Sequence, residues 1–315
     1  MPCFHPLRAF RSFSKKENGK ARIFFQEPQE AAEGIELPCG QCVGCRLERS
    51  RQWAIRCMHE ASLHEENSYL TLTYSEAELP PLGNLRFRDF QLFLKRFRKW
   101  CPTPVRYFHC GEYGDISGRP HYHCLLFGYD FPDKVFLKMS GEFALYASKN
   151  LDDLWSHGHC FIGDVSFESA AYVARYNMKK VTGEAAAEHY ERVDPETGEV
   201  VMLQPEYVTM SRGSGKTHPD PRFRGGIGSG WFKKYGHQLT VENDFIIVKG
   251  RKVFPPKFYD EQIEKVDPER LSLMKEARVE RAELFKENNT PERRAVREEV
   301  VKKRLARLPR ERSDQ

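Results

Sequence analysis

Hydrophobic positions along the chain change period several times, and each change marks an element. From Arg46 to about Leu63, Trp53, Ile55 and Met58 fall among charged residues, which predicts a helix. Ser68–Tyr74 is rich in β-branched and aromatic residues and reads as a strand. After the loop Pro80-Pro81-Leu82-Gly83, the residues Phe87, Phe90, Phe93, Leu94 and Phe97 recur at helical spacing, with Arg and Lys opposite. Val105–His109 and His121–Phe127 read as two strands joined by the turn Gly114–Pro120. A short strand follows at His159–Val165. Next comes a helix that Ser166 or Ser169 caps and that ends near Lys180, before Gly183.

The order helix, strand, helix, three strands, helix predicts an α+β fold, an antiparallel sheet with helices packed on one face. Beyond it, Asp194–Gly198 is a turn between runs suited to a hairpin, and Arg222–Gly230 is Gly-rich. Phe245–Val248 is strand-like, and from about Asp260 the chain is charged and helical. Four stretches result: a Cys-rich N-terminal segment at 1–45, an α+β domain at 46–182, a hairpin and Gly-rich extension at 183–260, and a charged helical tail at 261–315. No internal repeat is visible.

Composition narrows the class. The 315 residues suffice for one full core plus appendages. Lys+Arg number 50 and Asp+Glu 45, a net charge of +5 that permits a nucleic-acid partner without requiring one. Aromatic content of 12% would serve stacking on unpaired bases. No stretch approaches the ~20 apolar residues of a membrane span, and the N-terminus lacks a signal-peptide pattern. The nine cysteines therefore belong to a reducing compartment, where clustered thiols suggest metal before disulfides.

Two motifs carry chemistry. His121-Tyr122-His123 heads the apolar run Cys124–Phe127. Alternate strand residues share a face, so two imidazoles point the same way and can hold one divalent cation. A pair leaves the ion under-coordinated. Glu112, on the preceding hairpin arm, is the candidate third ligand and His109 a weaker one. Two histidines and a carboxylate suit Mg²⁺ or Mn²⁺ that must also bind phosphate oxygen, with Zn²⁺ still open. The second motif is Tyr172–Lys180, where Tyr172 and Tyr176 lie one turn apart, about 6 Å along a helix face, among Arg175, Asn177, Lys179 and Lys180. A metal to polarise a phosphate and a tyrosine to attack it make a DNA-nicking site. The bland reading of the tyrosines is core packing.

Cys39, Cys42 and Cys45 have two-residue gaps, a spacing that fits a structural zinc site. Cys3 is the first candidate for the fourth ligand, with Cys57 and His5 behind it. Cys101, Cys110, Cys124 and Cys160 read as ordinary cysteines. Gly213-Ser214-Gly215-Lys216-Thr217 resembles the end of a phosphate-binding loop, but Met210 stands where a glycine is needed and Pro219 and Pro221 obstruct the following helix. ATP binding is rejected there. The stretch reads instead as a basic loop, DNA-contacting or not. Arg86, Arg88, Arg96, Arg98 and Trp100 read as the exposed basic face of an amphipathic helix that could also serve binding. Residues 291–310 carry a run of basic residues that most simply forms a solvated helix.

In order and spacing, Ser68–Tyr74, His121-Tyr122-His123 and Tyr172–Lys180 resemble the three motifs of rolling-circle replication initiators, the HUH endonucleases. The Cys39–Cys45 cluster, the Trp53 helix, Gly225-Gly226-Ile227-Gly228 and Pro255-Pro256 resemble the replication initiators of microviruses, small single-stranded DNA phages, in the branch that includes the Chlamydia phages. The resemblance covers most of residues 3–260. It implies an HUH-like fold, His121 and His123 as the metal pair, Glu112 as the polar third ligand, Tyr172 and Tyr176 as the two tyrosines, and Lys179 as the lysine after the second. The middle of the histidine motif is usually a bulky hydrophobe, so Tyr122 departs mildly and should face the other way.

By the same resemblance the protein nicks the phage origin in the double-stranded replicative form. It stays linked through a 5′-phosphotyrosine, leaves a 3′-hydroxyl for host polymerase, and rejoins strands to release unit-length circular genomes. Host helicase and polymerase are the implied partners, the bacterial cytoplasm the implied location, and no membrane is involved. Two other functions compete: a related transposase or relaxase, and a non-catalytic, zinc-stabilised single-strand-binding module.

Overall fold

The computed structural model describes residues 3–15, 21–115, 117–175, 180–181, 183–213 and 225–307. In chain order the strands and helices begin with β1 (Leu7–Lys15), β2 (Ala21–Phe24), β3 (Ala32–Leu37) and α1 (Val43–Ala61). Next come β4 (Asn67–Thr73), α2 (Phe87–Trp100), β5 (Arg106–Tyr113) and β6 (Pro120–Phe127). Then follow β7 (Val135–Ser140), β8 (Phe143–Ala147), α3 (Lys149–Trp155), β9 (Cys160–Gly163) and α4 (Phe167–Arg175). The remainder is α5 (Ala185–Tyr190), β10 (Glu191–Val193), β11 (Val200–Met202), β12 (Tyr207–Met210), α6 (Ser229–Tyr235), β13 (Ile246–Val248), β14 (Arg251–Val253), α7 (Lys257–Val266), α8 (Pro268–Glu283) and α9 (Pro291–Ala306). No helix among the described residues is long and apolar enough to cross a membrane.

The residues group into two compact units. The larger, Ser50–Lys275, is built on a seven-stranded antiparallel sheet of order β12-β5-β6-β4-β9-β8-β7. The smaller joins the chain up to Arg49 with residues from Glu276 onward, and contains the three-stranded sheet β2-β1-β3 and α9.

The α+β class and the antiparallel sheet agree with the sequence pattern, but helices cover both faces of the sheet rather than one. On one face Leu70, Leu72, Tyr122, Cys124 and Leu126 pack against Phe90, Phe93, Leu94 and Phe97 of α2 and Leu151, Leu154 and Trp155 of α3. On the other, Phe108, Cys110, Leu125 and Phe127 meet Ala54, Cys57 and Ala61 of α1 and Ala170, Val173 and Ala174 of α4. Every residue of β6 is buried as a result. A strand covered on both faces loses polar alternation and reads as a continuous apolar run, which Cys124–Phe127 is.

Three links hold this packing. Arg96 donates to the carbonyls of Leu154 and Trp155, satisfying the exposed end of α3 at 2.7 and 2.9 Å. The basic face of α2 thus has a structural member. Trp155 Nε1 donates to the Thr73 carbonyl of β4 at 2.7 Å. The carboxylate of Glu60, fully buried on α1, pairs with Arg106 at 3.0 Å and accepts the Gly228 N–H at 2.7 Å. Gly228 sits at φ +83°, a left-handed conformation that glycine adopts without a Cβ penalty, so the chain turns into α6 with its N–H aimed at Glu60. A third core joins Ile55 to Leu239, Ile246, Tyr259, Ile263, Leu271 and Met274.

Candidate metal and tyrosine site

Strand register assembles the site. In the β5–β6 hairpin Glu112 stands opposite His121, and Cys110 opposite His123. Period-two alternation then puts Glu112, His121 and His123 on the α1/α4 face. All three are buried, at 1%, 6% and 2% exposure. His121 Nε2 lies 2.7 Å and His123 Nε2 3.0 Å from the same oxygen, Glu112 Oε1. One ligand atom from each residue falls within 4.8 Å of the others.

Two imidazole nitrogens and a carboxylate oxygen are a donor set for a divalent cation with open positions, and this set fits one. The outer contacts fit as well. His121 Nδ1 donates to the Arg119 carbonyl at 3.1 Å, which leaves Nε2 of the neutral ring as the lone-pair nitrogen. His123 Nδ1 lies 2.8 Å from the Tyr69 hydroxyl and 3.1 Å from Thr71 Oγ1. The Tyr69 ring also stacks on His123, centroids 5.6 Å apart. Burial alone would raise the Glu112 carboxyl, but the hydrogen bonds and charges of His121 and His123 hold it down to about 2. A cation there would take the place of the protons that otherwise bind the three groups together.

Helix α4 delivers the tyrosine. Ser166 is its cap: Ser166 Oγ accepts the Ser169 N–H at 3.1 Å, and Ser169 Oγ accepts the Ser166 N–H at 2.8 Å. Ala170, Val173 and Ala174 press on the sheet. Half-buried Tyr172 then meets His123 edge to face, ring centroids 5.2 Å apart and planes at 83°. The Arg175 guanidinium carbon lies 5.8 Å from the Tyr172 ring centroid. Tyr176 and Lys179 lie outside the described residues.

Other expectations divide. His109 is not a ligand of this group, because it pairs with Cys124 on the opposite face. There it stacks on Phe90 at 3.2 Å and contacts Thr209 Oγ1 at 3.1 Å, an ordinary core histidine. Tyr122 also faces that side, its hydroxyl hydrogen-bonded with Tyr74 and the Arg86 backbone. Tyr69 and Thr71 were not singled out from sequence. Their alternate positions on β4 were visible, but only register places them beside His123.

In the smaller unit, Cys3, Cys39, Cys42 and Cys45 bring their sulfurs within 4.8 Å of one another. Cys57 is a buried core residue instead, and His5 pairs with Glu298 at 2.7 Å.

Residues 67–181 match the replication-associated protein ORF2/G2P family. The chain is 31% identical over 283 residues to replication-associated protein VP4 of Bdellovibrio phage phiMH2K, covering 86% of this chain and 79% of that protein. It is 30% identical over 286 residues to replication-associated protein ORF2 of Spiroplasma virus 4, covering 84% and 81%. A shorter match, 33% over 153 residues, joins it to replication-associated protein ORF4 of Chlamydia phage 1, covering 46% and 38%. No solved structure matches the chain.

Proposed function

The chain belongs to the phage replication-associated proteins of the microvirus type, and from that premise we propose that it starts rolling-circle replication by nicking origin DNA with a tyrosine. The observation that carries the reading is the convergence of Glu112, His121 and His123 beside Tyr172 on one sheet face. A bound Mg²⁺ or Mn²⁺ would supply Lewis-acid polarisation of the scissile phosphate. Glu112 Oε1 and the two Nε2 atoms would hold it, and Tyr69, Thr71 and the Arg119 carbonyl would fix the imidazole rings.

In the cleavage step the Tyr172 phenol oxygen attacks phosphorus. A Tyr–O–P bond forms and the phosphorus–O3′ bond breaks. The 5′ phosphate stays on the tyrosine, and O3′ leaves as a hydroxyl after gaining a proton, while the phenol loses one. Arg175, beside the ring, would set its positive charge against the scissile phosphate. Rejoining reverses the step, with the 3′-hydroxyl attacking the phosphotyrosine, so no ATP is consumed. Tyr176 would be the alternate nucleophile and Lys179 its cationic neighbour. Substrate would be origin DNA, as replicative form and single strand, in the host cytoplasm, with host helicase and polymerase acting on the opened end. The HUH endonuclease fold belongs to the same proposal.

The test is cleavage of origin-containing supercoiled DNA with Mg²⁺ or Mn²⁺, comparing wild type, Tyr172→Phe, Tyr176→Phe and the double variant on a denaturing protein gel. A metal-dependent DNA-linked band that the double variant lacks supports the proposal. A folded wild type that binds verified origin DNA without nick or adduct overturns it in favour of a non-catalytic binding module.

A further inference from the structure

The smaller unit has too little core to explain its own order. Among the described residues its buried apolar side chains are Phe4, Ala9 and Phe10. Leu7, Phe13 and Ile23 on its strands, and Phe25 just past β2, are exposed. Small units of this kind need a staple. Two ionic clips join α9 to the rest of the unit: Arg294 grips Glu36 with both terminal nitrogens at 3.2 Å, and His5 pairs with Glu298. Partly exposed ion pairs contribute little by themselves.

The four cysteines are placed as a stronger clip. Their sulfurs lie within 4.8 Å of one another, and Cys3 and Cys42 are 3.9 Å apart. Zinc–sulfur bonds of about 2.3 Å in a tetrahedron set a sulfur–sulfur edge of about 3.8 Å. All four cysteines are free, so the separation is not that of a bonded pair. Backbone amides converge on the sulfurs: Phe4 N–H on Cys42 at 3.4 Å, Cys39 N–H on Cys3 at 3.2 Å, and Cys42 N–H on Cys39 at 3.3 Å. Such N–H to sulfur contacts are the outer-sphere contacts that orient cysteine ligands around a metal. Gly40, at φ +75°, makes the tight turn between Cys39 and Cys42.

We propose that Cys3, Cys39, Cys42 and Cys45 bind one structural Zn²⁺ that fastens the start of the chain and the end of β3 to the first turn of α1. Four protein sulfurs close the tetrahedron and leave no position for water or substrate, so the ion holds the fold and performs no chemistry. Each thiol gives up its proton as it binds. The site is independent of the nicking reading, because none of its ligands belongs to the Glu112 group.

The experiment uses the full chain, as wild type and as a Glu112→Ala/His121→Ala/His123→Ala variant that removes the other donor set. Both are purified without chelator and analysed by plasma mass spectrometry, then reconstituted with Co²⁺. The expected result is one zinc per chain in both, and a cobalt form with sulfur-to-cobalt charge-transfer absorption. Cys45→Ser should lose that band. Removing zinc from wild type should increase amide exchange at least tenfold in β1–β3 while β4–β6 stay protected. Wild type that holds no zinc, holds iron instead, forms a cobalt complex without the sulfur band, or keeps the same exchange after chelation overturns the proposal. The wild-type measurements stand even if Cys45→Ser fails to fold.

Discussion

Removing one hydroxyl tests whether the Glu112 group is a metal site tuned from β4. Tyr69→Phe keeps the ring that stacks on His123 at 5.6 Å and deletes only the oxygen 2.8 Å from His123 Nδ1. With Nε2 turned to the cation, Nδ1 carries the proton and donates it to the Tyr69 and Thr71 oxygens. Loss of an outer-sphere partner of a ligating histidine costs about 10- to 100-fold in metal affinity. Thr71 Oγ1, at 3.1 Å, remains as a substitute acceptor, so the single variant belongs at the low end. The expected loss is about tenfold in Mn²⁺ affinity, ~1.4 kcal/mol, rising to about 100-fold and ~2.7 kcal/mol in Tyr69→Phe/Thr71→Val. Calorimetric Mn²⁺ titration of the DNA-free protein measures it, and nicking against Mn²⁺ concentration should shift its midpoint by the same factor with little change at saturation. An unchanged midpoint with a reduced saturating rate would refute the reasoning and place the Tyr69 hydroxyl on the substrate.

Glu60→Ala should destabilise the larger unit by about 3–5 kcal/mol in urea unfolding, because it removes the carboxylate that balances the buried Arg106 charge and accepts the Gly228 N–H; a cost under 1 kcal/mol would mean that solvent reaches the pair. Burial holds His59 down at about 4, beneath Trp231 and against the Tyr259 hydroxyl. The unfolded chain therefore binds the extra proton, and stability that is complete above pH 6.5 falls toward pH 4 by ~1.4 kcal/mol per unit, about 3 kcal/mol in all. Burial lowers His109 as well, so unfolding at pH 7 and 4.5 should show a slope that is shallower in His59→Phe than in wild type by this amount; an equal slope in both would assign it to other groups. Gly158→Ala should cost at least about 2 kcal/mol in thermal unfolding, since a Cβ would sit 2.4 Å from the Ser75 nitrogen and 2.6 Å from the Thr73 oxygen, backbone atoms of the β4 end. A neutral outcome would show that the 157–158 turn yields easily.

What the sequence makes legible follows from how local the signal is. The histidine pair, its apolar strand and Glu112 across the hairpin are settled by alternation over a short span, and the structure brings these three together. The α4 cap at Ser166 is equally local. Tyr69 and Thr71 are not, because their neighbourhood depends on the β4–β6 register. The second helical layer escaped for a related reason: the burial of β6 on both sides was written in Cys124–Phe127, yet an apolar run can also end a half-exposed strand. Strands β1–β3 lacked a clear pattern because Leu7 and Phe13 stay exposed while Ala9 and Phe10, which are adjacent, are buried. Strand β7 misleads in the opposite sense, with Val135, Phe136, Leu137 and Met139 all exposed in succession.

Burial on both faces also explains how a loosely signalled tyrosine reaches His123 of the Glu112 group. The α2/α3 face is filled by Phe90, Phe93, Phe97, Tyr122 and Trp155, large rings that fix the sheet from behind. On the other face the helices contribute Ala54, Ala61, Ala170 and Ala174. Small side chains let helix backbones lie close to the strands, and a close helix can extend a long side chain sideways to the sheet instead of spending its length on the gap. Tyr172 meets His123 in that way, while its chain neighbours Ala171 and Val173 pack into the same layer. The rigid aromatic face and the alanine face are therefore two halves of one arrangement. The first keeps Glu112, His121 and His123 in register, and the second brings the hydroxyl-bearing helix down onto them.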